Sequence, residues 1–165
     1  MKRNLFVLCL LALCLSAFGV ESKTHRFPAD VSSYTGSTVA TMTDGTVYTC
    51  SNGAMFYSDY GTIRLKCPNN GEVVMSPAIS GLNEFEVHHS GGNISLNLYV
   101  SSNGSTWTQV TGSDLVQNSG YLKATNLDGD YYVKVKNVSA GNINITQMVY
   151  YYSTESCNCF RVVTE

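Results

Sequence analysis

Charged residues are scarce in this sequence, at 13% of the chain, and Lys and Arg form no cluster. A basic patch is the electrostatic footprint of proteins that bind nucleic acid, so we exclude that class. The chain also lacks the apolar stripe at i, i+3, i+4 and i+7 that marks an amphipathic helix, which excludes a largely helical fold. Beyond residue 20 no apolar run is long enough to span a bilayer.

Catalytic patterns are missing as well. Glu84 and Glu86 are two residues apart on one strand face, whereas a glycosidase needs two carboxylates across a cleft. The serines lack a G-x-S-x-G elbow. His88 and His89 are neighbours on a strand and point to opposite faces, so they do not chelate one ion together. We predict a protein that is not an enzyme and has no metal site.

The first residues have the pattern of a secretory signal peptide. "MKRNLFVLCLLALCLSAFG" begins with Lys2 and Arg3, continues with an apolar run and ends in small residues. We predict that residues 1–19 are removed and that the protein is secreted, periplasmic or held at the cell surface. Without Lys2 and Arg3, the twelve acidic residues outnumber the basic ones.

Four cysteines remain after that leader. An even number in a secreted chain favours disulfides. We predict that the tail cysteines pair with the two earlier ones, because a bridge between residues two apart on an extended strand is strained. A single bridge between Cys50 and Cys67 is the alternative. The predicted disulfide residues are Cys50, Cys67, Cys157 and Cys159.

Period-two alternation of apolar and polar residues covers most of the rest. In "NISLNLYV" Leu96 and Leu98 share one face, and in "DYYVKVKN" Val133 and Val135 do the same. Turn residues separate such runs every 8–14 positions, as "PNNG", "SNG" and "LDGD" do. This pattern predicts an all-β, antiparallel β-sandwich over residues 46–165, with its C-terminal tail tied down by disulfides. Residues 20–45 are polar, and we expect them to be poorly defined or to hold one edge strand.

Three ordered segments resemble a known family. They are "YGTIRLKCPNNGEVVMSPAISGLNEFEV", "ISLNLYVSSNGSTWTQV" and "GDYYVKVKNVSAGNINITQMVYY", which together span about residues 60–151. They are similar to the jelly-roll, galactose-binding-like accessory domains of secreted bacterial proteins, which resemble carbohydrate-binding modules. The resemblance implies a jelly roll without catalytic residues. It implies no cofactor other than a structural calcium, although the dense D-x-D-x-D pattern is missing.

Four tyrosines are candidates for a sugar-stacking surface. Sugars stack on aromatic rings because their C–H faces are apolar, and nearby amides then bond the hydroxyls. Alternation places the candidates on the polar faces of their strands, where they would form one exposed stripe. The alternative is that they pack against a loop or the N-terminal segment. The predicted ligand-binding residues are Tyr99, Tyr132, Tyr150 and Tyr152.

Trp107, the only tryptophan, follows the Asn103–Gly104 pair, a strong signal for a hairpin turn. Counting by twos from an inward Val110 points Trp107 outward, and a bulge beside the turn would reverse this. We expect Trp107 to plug the end of the core, since an isolated indole usually covers apolar side chains.

These observations predict a secreted, non-catalytic module that binds a polysaccharide or a surface glycan. The alternative is a structural or adhesion protein that contacts another secreted protein.

Overall fold

The computed structural model describes residues 17–59, 61–90 and 94–156, and this part of the chain is almost entirely antiparallel β-strand. A short 3₁₀ turn, Gly112–Asp114, lies immediately before Leu115. No helix among the described residues is long and apolar enough to cross a membrane. The strands are β1 Ala17–Arg26, β2 Val31–Thr35, β3 Val39–Met42, β4 Val47–Ser51, β5 Met55–Asp59, β6 Thr62–Cys67, β7 Glu72–Ser90, β8 Leu96–Ser101, β9 Thr108–Gln109, β10 Leu115–Asn118, β11 Tyr121–Ala124, β12 Gly129–Asn137 and β13 Ile143–Ser156.

The long strand β7 joins the two layers of the sandwich. Its first half lies in the sheet ordered β2-β3-β4-β7-β12-β8-β9, and its second half pairs with β11 and β13. The strand changes layer near Gly81, whose φ is +63°. Asp130 holds this bend, because its carboxylate accepts hydrogen bonds of 2.8 Å from both the Ser80 hydroxyl and the Gly81 backbone N–H.

The inner faces of both layers meet in one hydrophobic core. Leu98 and Val135 come from the first layer, and Val87, Leu122 and Met148 come from the second. All five are at most 1% exposed. The predicted antiparallel sandwich is therefore confirmed, and so is the inward orientation of the apolar residues of β8 and β12.

A bulge in β13 reverses the side-chain pattern predicted for its second half. Ile145 pairs with His89 and Gln147 pairs with His88, so Thr146 is an extra residue in β13. An extra residue shifts the alternation by one. Consequently Met148 and Tyr150 face the core, where simple alternation from Ile145 had placed Tyr150 outside.

The N-terminal segment is more ordered than predicted. Residues 20–45 contain most of β1 and all of β2 and β3, in place of at most one edge strand. Strand β1 pairs with β13 along its whole length, from Ala17 opposite Ser156 to Arg26 opposite Gln147. It also brings His25 into the core, where this side chain is 3% exposed. Residues 1–16 of the predicted leader lie outside the described residues.

The predicted disulfides are not present among the described residues, where Cys50 and Cys67 are buried free thiols. Cys157 and Cys159 lie outside this part of the chain. Cys67 lies in β6, opposite Ile143 at the start of β13.

Burial raises the pKa of the Cys50 thiol to about 12, with a further contribution from nearby Cys67. Burial likewise raises the pKa of Cys67 to about 11. Since the thiolate is the reactive form, both residues act as small apolar core side chains.

Candidate functional site

The outer face of the first layer carries two of the predicted tyrosines. Cross-strand pairing places Tyr99 of β8 opposite Lys134 of β12, and Ser101 opposite Tyr132. Tyr99 also pairs with Gln109 of β9 on its other side. Because paired residues point to the same face of a sheet, these side chains share the face turned away from the core.

Trp107 lies on this same outer face and does not plug the core. It precedes β9, two residues before Gln109, so alternation points it the same way. Val110, by contrast, faces inward and is 8% exposed. Trp107 is partly exposed and is absent from the buried core cluster. The expectation that Trp107 closes the core is therefore wrong, and the uninterrupted count from Val110 gives its orientation.

The turn before Trp107 is held by one side chain. The Asn103 carboxamide oxygen accepts hydrogen bonds from the backbone N–H groups of Ser105 and Thr106, at 2.9 and 2.8 Å, and from the Ser101 hydroxyl at 3.0 Å. Gly104 adopts φ +71°, which glycine accepts without strain. The Tyr132 ring lies close to Gly104, 3.6 Å from the position that a Cβ there would take. The turn thus fixes the approach of the chain to Trp107.

The Lys134 ammonium lies over both the Trp107 ring and the Tyr99 ring. Its ammonium nitrogen lies 4.7 Å from the centroid of the Trp107 ring and 4.9 Å from that of Tyr99. Both distances fall within the range in which a cation is attracted to the face of a ring. The Lys134 side chain is 15% exposed, so the contact is largely shielded from water. We call Tyr99, Trp107 and Lys134 together the aromatic platform.

Polar groups surround the aromatic platform. Asn97 donates a hydrogen bond of 3.3 Å from its amide nitrogen to the Tyr99 hydroxyl. Glu72 lies 3.9 Å from the Lys134 ammonium and 3.3 Å from that of Lys136. Gln109 is exposed beside Tyr99. The face therefore combines aromatic rings with amide and ammonium groups that can bond hydroxyls.

The other two predicted tyrosines lie elsewhere, so the four do not form one stripe. Tyr150 is 6% exposed and stacks on Phe85 with a ring-centroid distance of 6.4 Å. Tyr152 packs against the core, and its hydroxyl donates a hydrogen bond of 3.0 Å to Glu21. The bulge at Thr146 is the cause, because it turns both residues inward.

Tyr150 and Tyr152 line a cleft of about 360 Å³, and core residues form its inner wall. We call it the Lys23 cleft. Its walls are completed by Lys23 of β1, by Asp44, Gly45 and Thr46 of the β3–β4 turn, and by Met75, Pro77, Ala78, Ile79 and Ser80 of β7. This volume is within the range of small-molecule sites.

Asp44 is the centre of a hydrogen-bond network at this cleft. Its carboxylate forms an ion pair with Lys23 and accepts hydrogen bonds from the Thr46 backbone N–H at 2.9 Å and the Thr46 hydroxyl at 3.1 Å. His25 Nε2 lies 3.0 Å from the same carboxylate, and Nδ1 lies 2.8 Å from the Tyr48 hydroxyl. Both His25 nitrogens are thus engaged, and the side chain is buried at 3% exposure.

These contacts set the protonation of Asp44. Burial would raise its pKa, but the hydrogen bonds from Lys23, Thr46 and His25 outweigh burial and hold the pKa well below its ordinary value of 3.8. A carboxyl group whose pKa is lower in the folded state stabilises the fold above the unfolded pKa. That contribution is lost as the pH falls through and below about 4.

We expect the free energy of unfolding to fall as the pH is lowered from 5 to 2, and to fall less steeply in Asp44→Asn, because the variant has no carboxylate to protonate. Urea unfolding at several pH values measures both slopes. Asp130→Asn is a control at an exposed carboxyl whose pKa is also lowered, by the Gly81 N–H and the Ser80 hydroxyl. Equal slopes in wild type and Asp44→Asn would contradict this role of Asp44.

Glu84, Glu86 and His88 form ordinary surface contacts. Lys123 lies 2.6 Å from Glu84 and 3.1 Å from Glu86, and His88 lies 3.2 Å from Glu86. His89 points the other way and is 7% exposed, so the two histidines do lie on opposite faces. No group of three or more potential metal ligands occurs within the described residues.

No protein-family model matches the sequence, and no curated protein does. Among solved structures, the chain is similar to a low-affinity xylan-binding module, CBM86, from the gut symbiont Roseburia intestinalis. The two share 12% sequence identity over 79% of this chain and 94% of that chain, with a TM-score of 0.48.

Several residues of the aromatic platform and of the Lys23 cleft could not be identified from the sequence. Alternation on β12 did place Lys134 and Lys136 outward beside Tyr132, but nothing in it showed that Lys134 would meet Trp107. The contact needs the register of β8, β9 and β12, which the sequence does not encode locally. Lys23 and Asp44 lie in residues 20–45, which we expected to be poorly defined. The sequence therefore did not predict which residues they contact.

Proposed function

We propose that the protein is a secreted, non-catalytic carbohydrate-binding protein, and that the aromatic platform is its binding surface. The observation that carries this proposal is the arrangement of Trp107 and Tyr99 around the Lys134 ammonium on an outward sheet face. Lys134 contacts one side of each ring, and the rings are still partly exposed. The remaining ring surface is available to a ligand.

The chemistry of this surface suits a sugar. The C–H face of a pyranose stacks on an aromatic ring, and its hydroxyls need donors and acceptors nearby. Asn97, Gln109 and Lys136 supply amide and ammonium groups around the rings. A sheet face of this kind accepts a stretch of chain laid across the strands, so we propose a polysaccharide as the ligand.

The platform supports binding and no bond cleavage. The only carboxylate described among its contacts, Glu72, is engaged with Lys134 and Lys136. A glycosidase needs two carboxylates on either side of the scissile bond. We therefore propose that the protein binds the polysaccharide and releases it without cleaving a glycosidic bond.

Affinity gel electrophoresis tests the proposal. The chain without residues 1–19 is run through native gels that contain soluble xylan, β-glucan, galactomannan or pectin. We expect at least one polysaccharide to retard the protein in proportion to its concentration, with serum albumin as the unretarded control. Unchanged mobility in every gel, together with no binding to a glycan array, would contradict the proposal.

A further inference from the structure

The Lys23 cleft is separate from the aromatic platform. Its aromatic walls are Tyr150 and Tyr152 of β13, whereas the platform lies on β8, on β12 and at Trp107 just before β9. Met75, Ile79 and Tyr150 reach the cleft from the inner faces of the sandwich, so it opens between the layers. The platform lies on an outer face. A ligand in one location therefore touches none of the residues that form the other.

The cleft offers an apolar corner. The Tyr150 and Tyr152 rings lie 5.9 Å apart at an angle of 38°, and Met75, Pro77, Ala78 and Ile79 line the opposite wall. A small ligand with an apolar face fits against such rings. Other contacts fix both rings of this corner, because Tyr150 stacks on Phe85 and the Tyr152 hydroxyl donates a hydrogen bond to Glu21.

The carboxylates at the cleft are already paired. Asp44 accepts from Lys23, His25 and Thr46, which leaves its carboxylate little capacity for a ligand. Asp130, next to the cleft wall, accepts from Ser80 and Gly81. Lys23 is different, because its ammonium carries three N–H donors and its side chain is 42% exposed. It can donate to a ligand oxygen while it keeps its ion pair with Asp44.

The charges near the cleft decide which ligand fits. Asp44, Glu21 and Asp130 outnumber Lys23, so the surroundings carry net negative charge. A ligand carboxylate would meet like charge, which is unfavourable at short range. A neutral hydroxyl or ring oxygen would instead accept from Lys23 without that cost.

We propose that the Lys23 cleft is a second binding site, which takes one neutral pyranose unit and rejects acidic sugars. The apolar face of the sugar packs on Tyr152, and a sugar oxygen accepts a hydrogen bond from Lys23. The choice of a sugar as ligand rests on the proposed function, while the site and its preference for a neutral unit rest on the residues of the cleft.

Amide chemical shifts of the ¹⁵N-labelled protein test this second site. The probes are the methyl glycosides of glucose, galactose, mannose and xylose, with methyl glucuronide as the acidic counterpart of methyl glucoside. We expect at least one neutral glycoside to shift the amides of Thr46, Ala78 and Tyr152 saturably. We expect methyl glucuronide to bind there at least tenfold more weakly.

Two variants of one residue sharpen the test. Tyr152→Ala should weaken the cleft titration at least fivefold, while Tyr152→Phe, which keeps the ring and loses the bond to Glu21, should change it less than twofold. Dispersed amide spectra verify that both variants fold. Tyr99→Ala, on the aromatic platform, should leave the cleft titration unchanged.

The outcomes separate this proposal from the proposed function. Shifts confined to Tyr99, Trp107 and Lys134 would overturn the second site and leave the platform standing. Shifts confined to the cleft would support the second site and count against the platform. An absence of cleft shifts with all four neutral glycosides, or glucuronide binding as strong as glucoside binding, would overturn the second site.

Discussion

Asn137→Ala should destabilise the protein by about 3–5 kcal/mol, a large share of the stability of a single domain. Asn137 is 0% exposed. Its amide nitrogen donates to the carbonyl oxygens of Cys67 and Gly141, at 2.9 and 2.8 Å, and its carboxamide oxygen accepts from the N–H and hydroxyl of Ser139. Alanine removes all four hydrogen bonds, and the Cys67 carbonyl loses its Asn137 donor in the core, where water does not replace it.

Asn103→Ala is the matched control for that variant. Asn103 also holds a turn through three hydrogen bonds to its side-chain oxygen, but it is exposed, so water replaces the lost partners. We expect a cost of about 1 kcal/mol or less. Urea unfolding of the two variants measures the difference. A cost for Asn137→Ala no larger than that for Asn103→Ala would contradict the structural role of Asn137.

Trp107→Ala should lose polysaccharide binding by at least about tenfold, which corresponds to about 1.4 kcal/mol. The ring provides the largest apolar surface of the aromatic platform and holds Lys134 in place. We expect the free energy of unfolding to fall by less than about 1 kcal/mol, because Trp107 is partly exposed and contributes nothing to the buried core.

The second layer offers a matched control for Trp107. Tyr151 also lies beside a lysine, with the Lys123 ammonium 5.3 Å from its ring centroid. Tyr151→Ala therefore removes an equivalent cation–ring contact away from the platform and should leave retardation in affinity gels unchanged. Trp107→Phe should keep part of the binding. If Trp107→Ala unfolds the protein or binds like wild type, the platform assignment is wrong.

Alternation correctly predicted that Tyr99 and Tyr132 point away from the core. Tyr99 follows the buried Leu98 of β8, and Tyr132 precedes the buried Val133 of β12. The buried Leu98 and Val135 fix which face is inside, and the tyrosines follow. The same count gave the right orientation of Trp107. The error there came from the general tendency of tryptophan to be buried, which does not hold at a hairpin tip on a sheet surface.

The position of Tyr150 could not be predicted from its own sequence. The bulge at Thr146 arises from the pairing of β13 with β7, two strands more than fifty residues apart. A single inserted residue then turns every following side chain of β13 to the other face. The Lys23 cleft exists because of this reversal, since Tyr150 and Tyr152 would otherwise point to solvent.

The hydrogen-bond network at Asp44 could not be predicted from the sequence either. Lys23, His25 and Asp44 come from a polar stretch with little apolar periodicity, and β1 is placed by pairing with β13 near the opposite end of the chain. Local propensity does not report such long-range partners. The buried Cys50 and Cys67 show the same limit, because a count of cysteines does not reveal that these two are free thiols in the core.

The emission of Trp107 tests the central claim most directly. Trp107 is the only tryptophan, so its fluorescence reports on the aromatic platform alone. With a polysaccharide that retards the protein in gels, we predict a saturable blue shift, with a midpoint that matches the dissociation constant from the gels. Retardation by a polysaccharide that leaves the Trp107 emission unchanged at saturation would show that the ligand binds elsewhere and would contradict the claim.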